Sequence, residues 1–279
     1  MQTTLVTADW LLSQSDAAVL ICDATYFLPT MGRDGRTEYE QAHIPGAVFF
    51  DIDGIKDEAS DLPHMIPSAE VFQAAMRGLG LRDGQQIVVY DDSPFLSSAR
   101  AWWMLRYFGH LPVAVLDGGL RAWREAGGEV TSAVPALSSG NFTASAPAEA
   151  DVITFAELER AVRAGTADQI IDARAANRFA GQAPEPRPGL RAGHIPGSLN
   201  LPIGDILDKD SGRLKPADEL AALFAKAGLA MDRPAVTTCG SGVTAAGLTL
   251  ALAILGKTDI QLYDGSWSEW GASDAPIES

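Results

Sequence analysis

The chain has 279 residues, 47% of them hydrophobic and 20% charged, which suits one large or two ordinary globular domains and excludes a largely disordered chain. Its formal charge of −15 argues against nucleic acid or anionic membrane as a partner, because gripping phosphates requires clustered Lys and Arg. The opening MQTTLVTADWLLSQSD lacks the basic flank and apolar core of a secretory signal, and the longest apolar run, Ala245 to Leu255, is too short to span a bilayer, so the expected location is the cytoplasm.

In chain order, an entry helix in VTADWL precedes an apolar strand over Val19–Cys22, where Cys22 reads as a small core hydrophobe. EYEQAHIPGAVFFDI, Glu38 to Ile52, follows. Helix-like stretches at Ala69–Leu79 and Ala99–Phe108 then alternate with β-branched runs at Ile87–Tyr90 and Val113–Leu116. This alternation predicts an α/β domain, a mainly parallel sheet with helices on both faces. TSAVPALSSGNFTASAPAEA, Thr131 to Ala150, is rich in Ser, Ala and Pro without a period and reads as a linker.

After it the chain is written again. ITFAEL repeats VTADWL and adds the capping-box spacing of Thr154 and Glu157. QIIDAR repeats VLICDA, GLRAGHIPGSLNLPI repeats the HIPG segment, and IQLYDGSWSEW repeats VAVLDGGLRAW, all at offsets of 147 to 151 residues. The expected organisation is a domain over 1–130, a linker over 131–150 and a second copy of the domain over 151–279.

Only Cys22 and Cys239 occur, so a disulfide framework is excluded. Cys239 lies between the run Val236-Thr237-Thr238 and a long apolar helix-forming segment. In open α/β sheets ligands collect at such strand-to-helix turns. Gly240 and Gly242 let the backbone curl so that its N–H groups converge, and the helix from Val243 onward adds its positive end. Ser241 and Thr244 can donate from their hydroxyls. All of this favours a thiolate, and equally a persulfide anion. Aligning the repeats sets VVYDDSPFLSSARAWW against VTTCGSGVTAAGLTLA and Asp91 against Cys239, so the first copy has the fold without the nucleophile. A Cys-dependent phosphatase loop needs an arginine where Ala245 stands. Metal-ligand spacing and a dinucleotide fingerprint are missing, so neither metal nor cofactor is expected.

The repeated HIPG segments, the loop Cys239-Gly240-Ser241-Gly242-Val243-Thr244 and the closing YDGSWSEW resemble the two-domain rhodanese family over essentially the whole chain. The resemblance implies tandem rhodanese-like domains, an inactive first copy and an active second one whose cysteine carries sulfur as a persulfide. Within the family, thiosulfate-using members carry basic residues straight after the cysteine, where this chain has neutral Gly240 and Ser241. The loop is instead similar to that of members using 3-mercaptopyruvate. That likeness implies substrate binding by Arg178 and Arg187, whose planar forks suit a carboxylate and a ketone, together with Gly240, Gly242, Val243 and Thr244 of the loop. Arg174 and Arg191 lie close enough in sequence to exchange roles with them.

His43 and His194 sit in the two HIPG segments. Since the cysteine-free copy keeps the motif, its first meaning is a structural turn. The resemblance offers His43 a second role, with Asp34 and the loop's Ser241, as a proton relay. His64 and His110 fit no pattern. The expected activity moves sulfur from a small-molecule donor through Cys239 to a thiol, thioredoxin or cyanide, in a monomer. A thiosulfate:cyanide sulfurtransferase and a non-catalytic persulfide carrier are the alternatives.

Overall fold

The computed structural model describes residues 4–14, 19–145 and 151–279. Its Cα packing divides into two compact units. The first gathers Met1–Glu58, Ile66–Pro147 and Lys209–Leu214; the second gathers Ala59–Met65, Ala148–Asp208 and Lys215–Ser279. Each unit therefore includes a short segment that sequence order assigns to the other half, which the expected boundaries at 130 and 151 do not anticipate.

The first unit runs β1 (Leu5–Val6), α1 (Ala8–Leu12), β2 (Val19–Asp23), α2 (Gly35–Gln41), β3 (Val48–Phe49), α3 (Ala69–Gly78), β4 (Gln86–Tyr90), α4 (Ser98–Tyr107), β5 (Val113–Leu116) and α5 (Gly119–Glu125). Its five strands pair in the order β1-β5-β4-β2-β3, every pair parallel. Parallel strands are buried on both faces, hence the unbroken apolar runs. Val88 and Tyr90 of β4 pack with Ala8 and Leu11 of α1 and Leu120 and Trp123 of α5. Ile87 and Val89 point the other way and are equally buried.

The second unit runs α6 (Phe155–Ala164), β6 (Gln169–Asp172), α7 (Ala176–Phe179), β7 (Leu199–Asn200), α8 (Ala217–Ala227), β8 (Ala235–Thr238), α9 (Val243–Ile254), β9 (Ile260–Leu262) and α10 (Ser266–Trp270). The parallel order β7-β6-β8-β9 repeats that of the first unit, with the counterpart of β1 reduced to one bridge, Val152 to Leu262. The predicted capping box at Thr154 and Glu157 is complete. Buried Leu158, Val236, Tyr263, Trp267 and Trp270 fill one face of this sheet, and Thr237 on the other bonds Thr249 of α9 at 2.9 Å. Among the described residues no helix is long and apolar enough to cross a membrane.

Residues 131–145, expected as a plain linker, form neither helix nor regular strand but are bound along the first unit. Phe142 is buried edge-on against Phe72 of α3, and the N–H groups of Gly140, Phe142 and Ser145 donate to Arg77, Leu81 and Phe108. Phe142 and these backbone bonds dock the stretch, while its Val134 and Leu137 stay exposed. Residues 146–150 lie outside the described residues.

Candidate active site

In the second unit, β6 connects to β7 on one side while β8 connects through α9 to β9 on the other. The carboxyl ends of β6 and β8 thus flank the switch point of the sheet, the place where such sheets bind ligands. Arg174 and Arg178 follow β6; Cys239 follows β8.

Cys239 is buried, and the segment after β9 builds its loop. The N–H groups of Cys239 and Gly242 both donate to Ser266 Oγ, at 3.2 and 3.1 Å, and that hydroxyl donates to Tyr263 O at 2.8 Å. The carbonyl of Cys239 accepts from Trp267 N, and that of Gly240 from Ser268 N and Oγ. Ser266 reaches this position with φ +50°, a left-handed conformation rare for a residue with a Cβ.

The N–H groups of Gly240, Ser241, Val243 and Thr244 find no acceptor among the described residues. They belong to the loop of the thiol and to the positive end of a twelve-residue helix, α9, an arrangement suited to an anion. The two glycines turn out to serve different ends. Gly242 takes the left-handed conformation, φ +79°, that turns the loop into the helix. Gly240 does not; a Cβ there would stand 3.3 Å from Nη2 of Arg178, so the bare position lets the guanidinium lie against the loop.

Ser241 is buried, and its Oγ meets Nδ1 of His64 at 2.9 Å. His64 sits in the segment Ala59–Met65 that belongs to this unit, itself buried and held at φ +61°. The sequence offered nothing to single it out.

The arginines separate clearly. Arg174 is fully buried, paired with Asp172 at 2.7 Å and Glu185 at 2.9 Å, bonded to Gly193 O and stacked on Trp267. Arg191 is committed to the carbonyls of Trp270, Gly271 and Ala275. Neither is left for a substrate. Arg178 pairs with Glu185 at 2.5 Å through Nη2, and its Nη1 makes no bond among the described residues. Arg187 is half-buried and forms no ion pair or hydrogen bond among them.

His43 and Asp34 belong to the first unit, and each has its own partners there. His43 is wholly buried in the first unit, its Nδ1 on Tyr39 O at 2.6 Å, its Nε2 on Ala133 O at 3.3 Å, and its ring stacked on Tyr39 at 4.1 Å. His194 repeats this on Phe179, and each histidine also bridges its HIPG turn to the strand-like stretch after the last helix, at Thr131 and Glu278. The motif is a structural clasp, and the imidazole of His43 is occupied on both nitrogens. Asp34 caps α2 by accepting Thr37 N–H at 2.7 Å, which holds its carboxyl below the usual range. The histidine bonded to the loop's Ser241 is His64. Cys22 is no competing nucleophile, since burial pushes its thiol up to about 12. No group of His, Cys, Asp or Glu among the described residues could hold a metal ion.

The rhodanese-like domain model matches residues 7–126 and again 154–273. The chain belongs to the rhodanese family. This rhodanese is 46% identical to a 3-mercaptopyruvate sulfurtransferase of Escherichia coli, over all of this chain and 99% of that protein. It is 40% identical to the Homo sapiens protein of the same name, over 95% and 91% of the two chains. A mitochondrial thiosulfate/3-mercaptopyruvate sulfurtransferase of Arabidopsis thaliana is 43% identical, over 99% of this chain and 78% of that protein. Among solved structures, SseA from Escherichia coli superposes with TM-score 0.84 at 42% identity, covering 95% of this chain and 99% of that one.

Proposed function

We propose that this chain is a sulfurtransferase that takes the sulfur of 3-mercaptopyruvate onto Cys239 as a persulfide, releases pyruvate, and passes the sulfur to a thiol, a thioredoxin or cyanide. The observation that carries this reading is the loop itself: a buried thiol sits in a loop whose N–H groups at 240, 241, 243 and 244 are uncommitted among the described residues, with the Arg178 guanidinium laid against Gly240. Full-length relatives bearing that activity in their names support the choice of donor.

Arg178 and Arg187 receive the carboxylate and ketone of the substrate. The Cys239 thiolate attacks the substrate sulfur, the new S–S bond forms, and the C–S bond breaks with its electron pair going to the enolate of pyruvate. The proton that the substrate thiol brought in moves to the enolate carbon by way of Ser241 Oγ, which His64 Nδ1 orients. Pyruvate leaves, and the Cys239 persulfide keeps the negative charge that the thiolate had. The N–H groups of 240, 241, 243 and 244 bind that charge without reorganising. A second nucleophile removes the outer sulfur and restores the thiolate, so the cycle is ping-pong. Two free thiols and no disulfide fit a reducing compartment such as the cytoplasm.

The deciding experiment compares kcat/KM for 3-mercaptopyruvate and thiosulfate with cyanide as acceptor and Cys239→Ser as the blank, alongside an intact-mass spectrum of donor-treated protein. The expected results are a preference for 3-mercaptopyruvate and a gain of one sulfur atom that the Ser variant lacks. A preference for thiosulfate overturns the donor, and stoichiometric labelling without turnover makes the chain a carrier. Arg178→Ala should lower kcat/KM for 3-mercaptopyruvate by roughly 30- to 150-fold, the equivalent of about 2–3 kcal/mol for a charged hydrogen-bonded contact.

A further inference from the structure

Arg178 does not meet a substrate as an isolated cation. Glu185, whose side chain is 3% exposed, takes the Nε and Nη2 side of its guanidinium with both carboxylate oxygens, at 3.4 and 2.5 Å. Glu185 cannot swing away easily, because Oε1 is also held at 2.9 Å by Arg174, and Arg174 is held by Asp172, Gly193 O and Trp267. Only the end of the Arg178 fork, with Nη1 and the second hydrogen of Nη2, remains for an incoming anion.

The charge count of this cluster matters as much as its geometry. Arg174 and Arg178 contribute two positive charges, Asp172 and Glu185 two negative ones, and the sum is zero. The pull on an anion at the switch point therefore comes from peptide dipoles and not from a net charge on this cluster. A monoanionic carboxylate loses little by this, because one end-on bidentate contact satisfies it. A compact dianion brings its second charge toward a buried carboxylate that cannot be displaced.

We infer that Glu185 is a positioning and specificity-determining residue: it aims Arg178 end-on at the substrate and, by neutralising it, selects monoanionic carboxylate donors against inorganic dianions such as thiosulfate. This rests on the reading of Cys239 and Arg178 given above. It is discrimination by a repulsive element, and it needs no basic residue to be missing from the loop.

The test is the ratio of kcat/KM for thiosulfate to that for 3-mercaptopyruvate in wild type, Glu185→Gln and Glu185→Asp. Gln keeps the size and one of the two acceptors and removes the charge, so the ratio should rise by about tenfold or more, whereas Asp keeps the charge and should hold the ratio near the wild-type value. A purely structural role would depress both donors together and leave the ratio unmoved in Gln; that result, with wild-type turnover intact, overturns this inference alone. Failure of wild type to release pyruvate overturns the parent reading and this one with it. Should Glu185→Gln not fold, wild type still decides. Pyruvate must compete with the donor at lower concentration than sulfate does, and sulfate binding equally or more tightly refutes the selection.

Discussion

Ser266 organises the loop without touching the sulfur, and its replacement gives a sharp test of how the site is built. Ser266→Ala removes one hydroxyl that accepts from Cys239 N and Gly242 N and donates to Tyr263 O. The residue is wholly buried, so the two N–H groups are left without a partner. Stranding a buried donor costs about 1–3 kcal/mol, so two of them cost about 2–6 kcal/mol, with roughly 3 kcal/mol expected from the lower half of that range. At about 3 °C per kcal/mol for a unit of this size, the unfolding temperature should fall by roughly 10 °C. Ser266→Gly loses the same bonds but relieves the left-handed conformation, worth about 1 kcal/mol, and should unfold a few degrees above the Ala variant. Differential scanning calorimetry measures both, and a parallel assay should find kcat reduced in each because the loop N–H groups are no longer pinned. An Ala variant that unfolds with wild type, or above the Gly variant, refutes the reasoning.

The histidines make a matched pair: His64→Ala should cut kcat by roughly 10²- to 10³-fold by disorganising proton delivery through Ser241. His43→Ala should leave kcat nearly intact while costing about 2 kcal/mol of stability for the lost buried hydrogen bond and stacked ring, and a kcat loss matching that of His64→Ala would support a relay through His43. Asp23 gives a pH test. Burial pushes its carboxyl up to about 6, so the folded state favours the protonated form; that stability is complete below the ordinary aspartate range and is lost as pH rises through 6. Asp23→Asn keeps an acceptor for Thr25 N–H, 2.9 Å from Asp23 Oδ1 in the wild type, and its unfolding temperature should gain on wild type between pH 5 and pH 8. Parallel curves would show that the carboxyl does not titrate there.

What the sequence made legible was local or periodic. Apolar β-branched runs gave the parallel strands, a fixed offset gave the duplication, and Cys239 stood out because its neighbours are too small to bury it by packing alone. His64 and Ser266 were not legible, because each acquires its role from a partner distant in the chain: Ser241 is 177 residues beyond His64, and Cys239 is 27 residues before Ser266. Glu185 lies only 7 and 11 residues from Arg178 and Arg174, but in a Pro-rich loop where no period says which side chains meet. His43 is the opposite case. It lies in a motif clear enough to invite a catalytic role, yet His194 in the cysteine-bearing unit makes the same backbone bond and ring stack. The repeat favours the structural meaning, since a feature kept in both copies does not by itself explain what only one of them does.

The loop after β4 shows what the second unit has been relieved of. Asp91 occupies the place of Cys239 and fills its own cradle: Oδ1 accepts from Ser93 N and Oγ at 2.9 Å each, and Oδ2 accepts from Ser98 N, the first residue of α4, at 2.7 Å. Its carbonyl accepts from Leu120 N as that of Cys239 does from Trp267. The gapless alignment of the two loops does not hold, for α4 begins seven residues after Asp91 and α9 four after Cys239 (98 − 91 against 243 − 239), and the added residues are what let the first loop fold back on a side chain. Both units thus aim backbone donors at an anion. In the first the anion is a side chain already attached, and burial still raises its carboxyl above the usual range, so three donors do not fully repay its desolvation. The second unit meets the same demand with a shorter, glycine-bearing turn and leaves its donors unspent, and that vacancy is where an incoming sulfur can hold its charge.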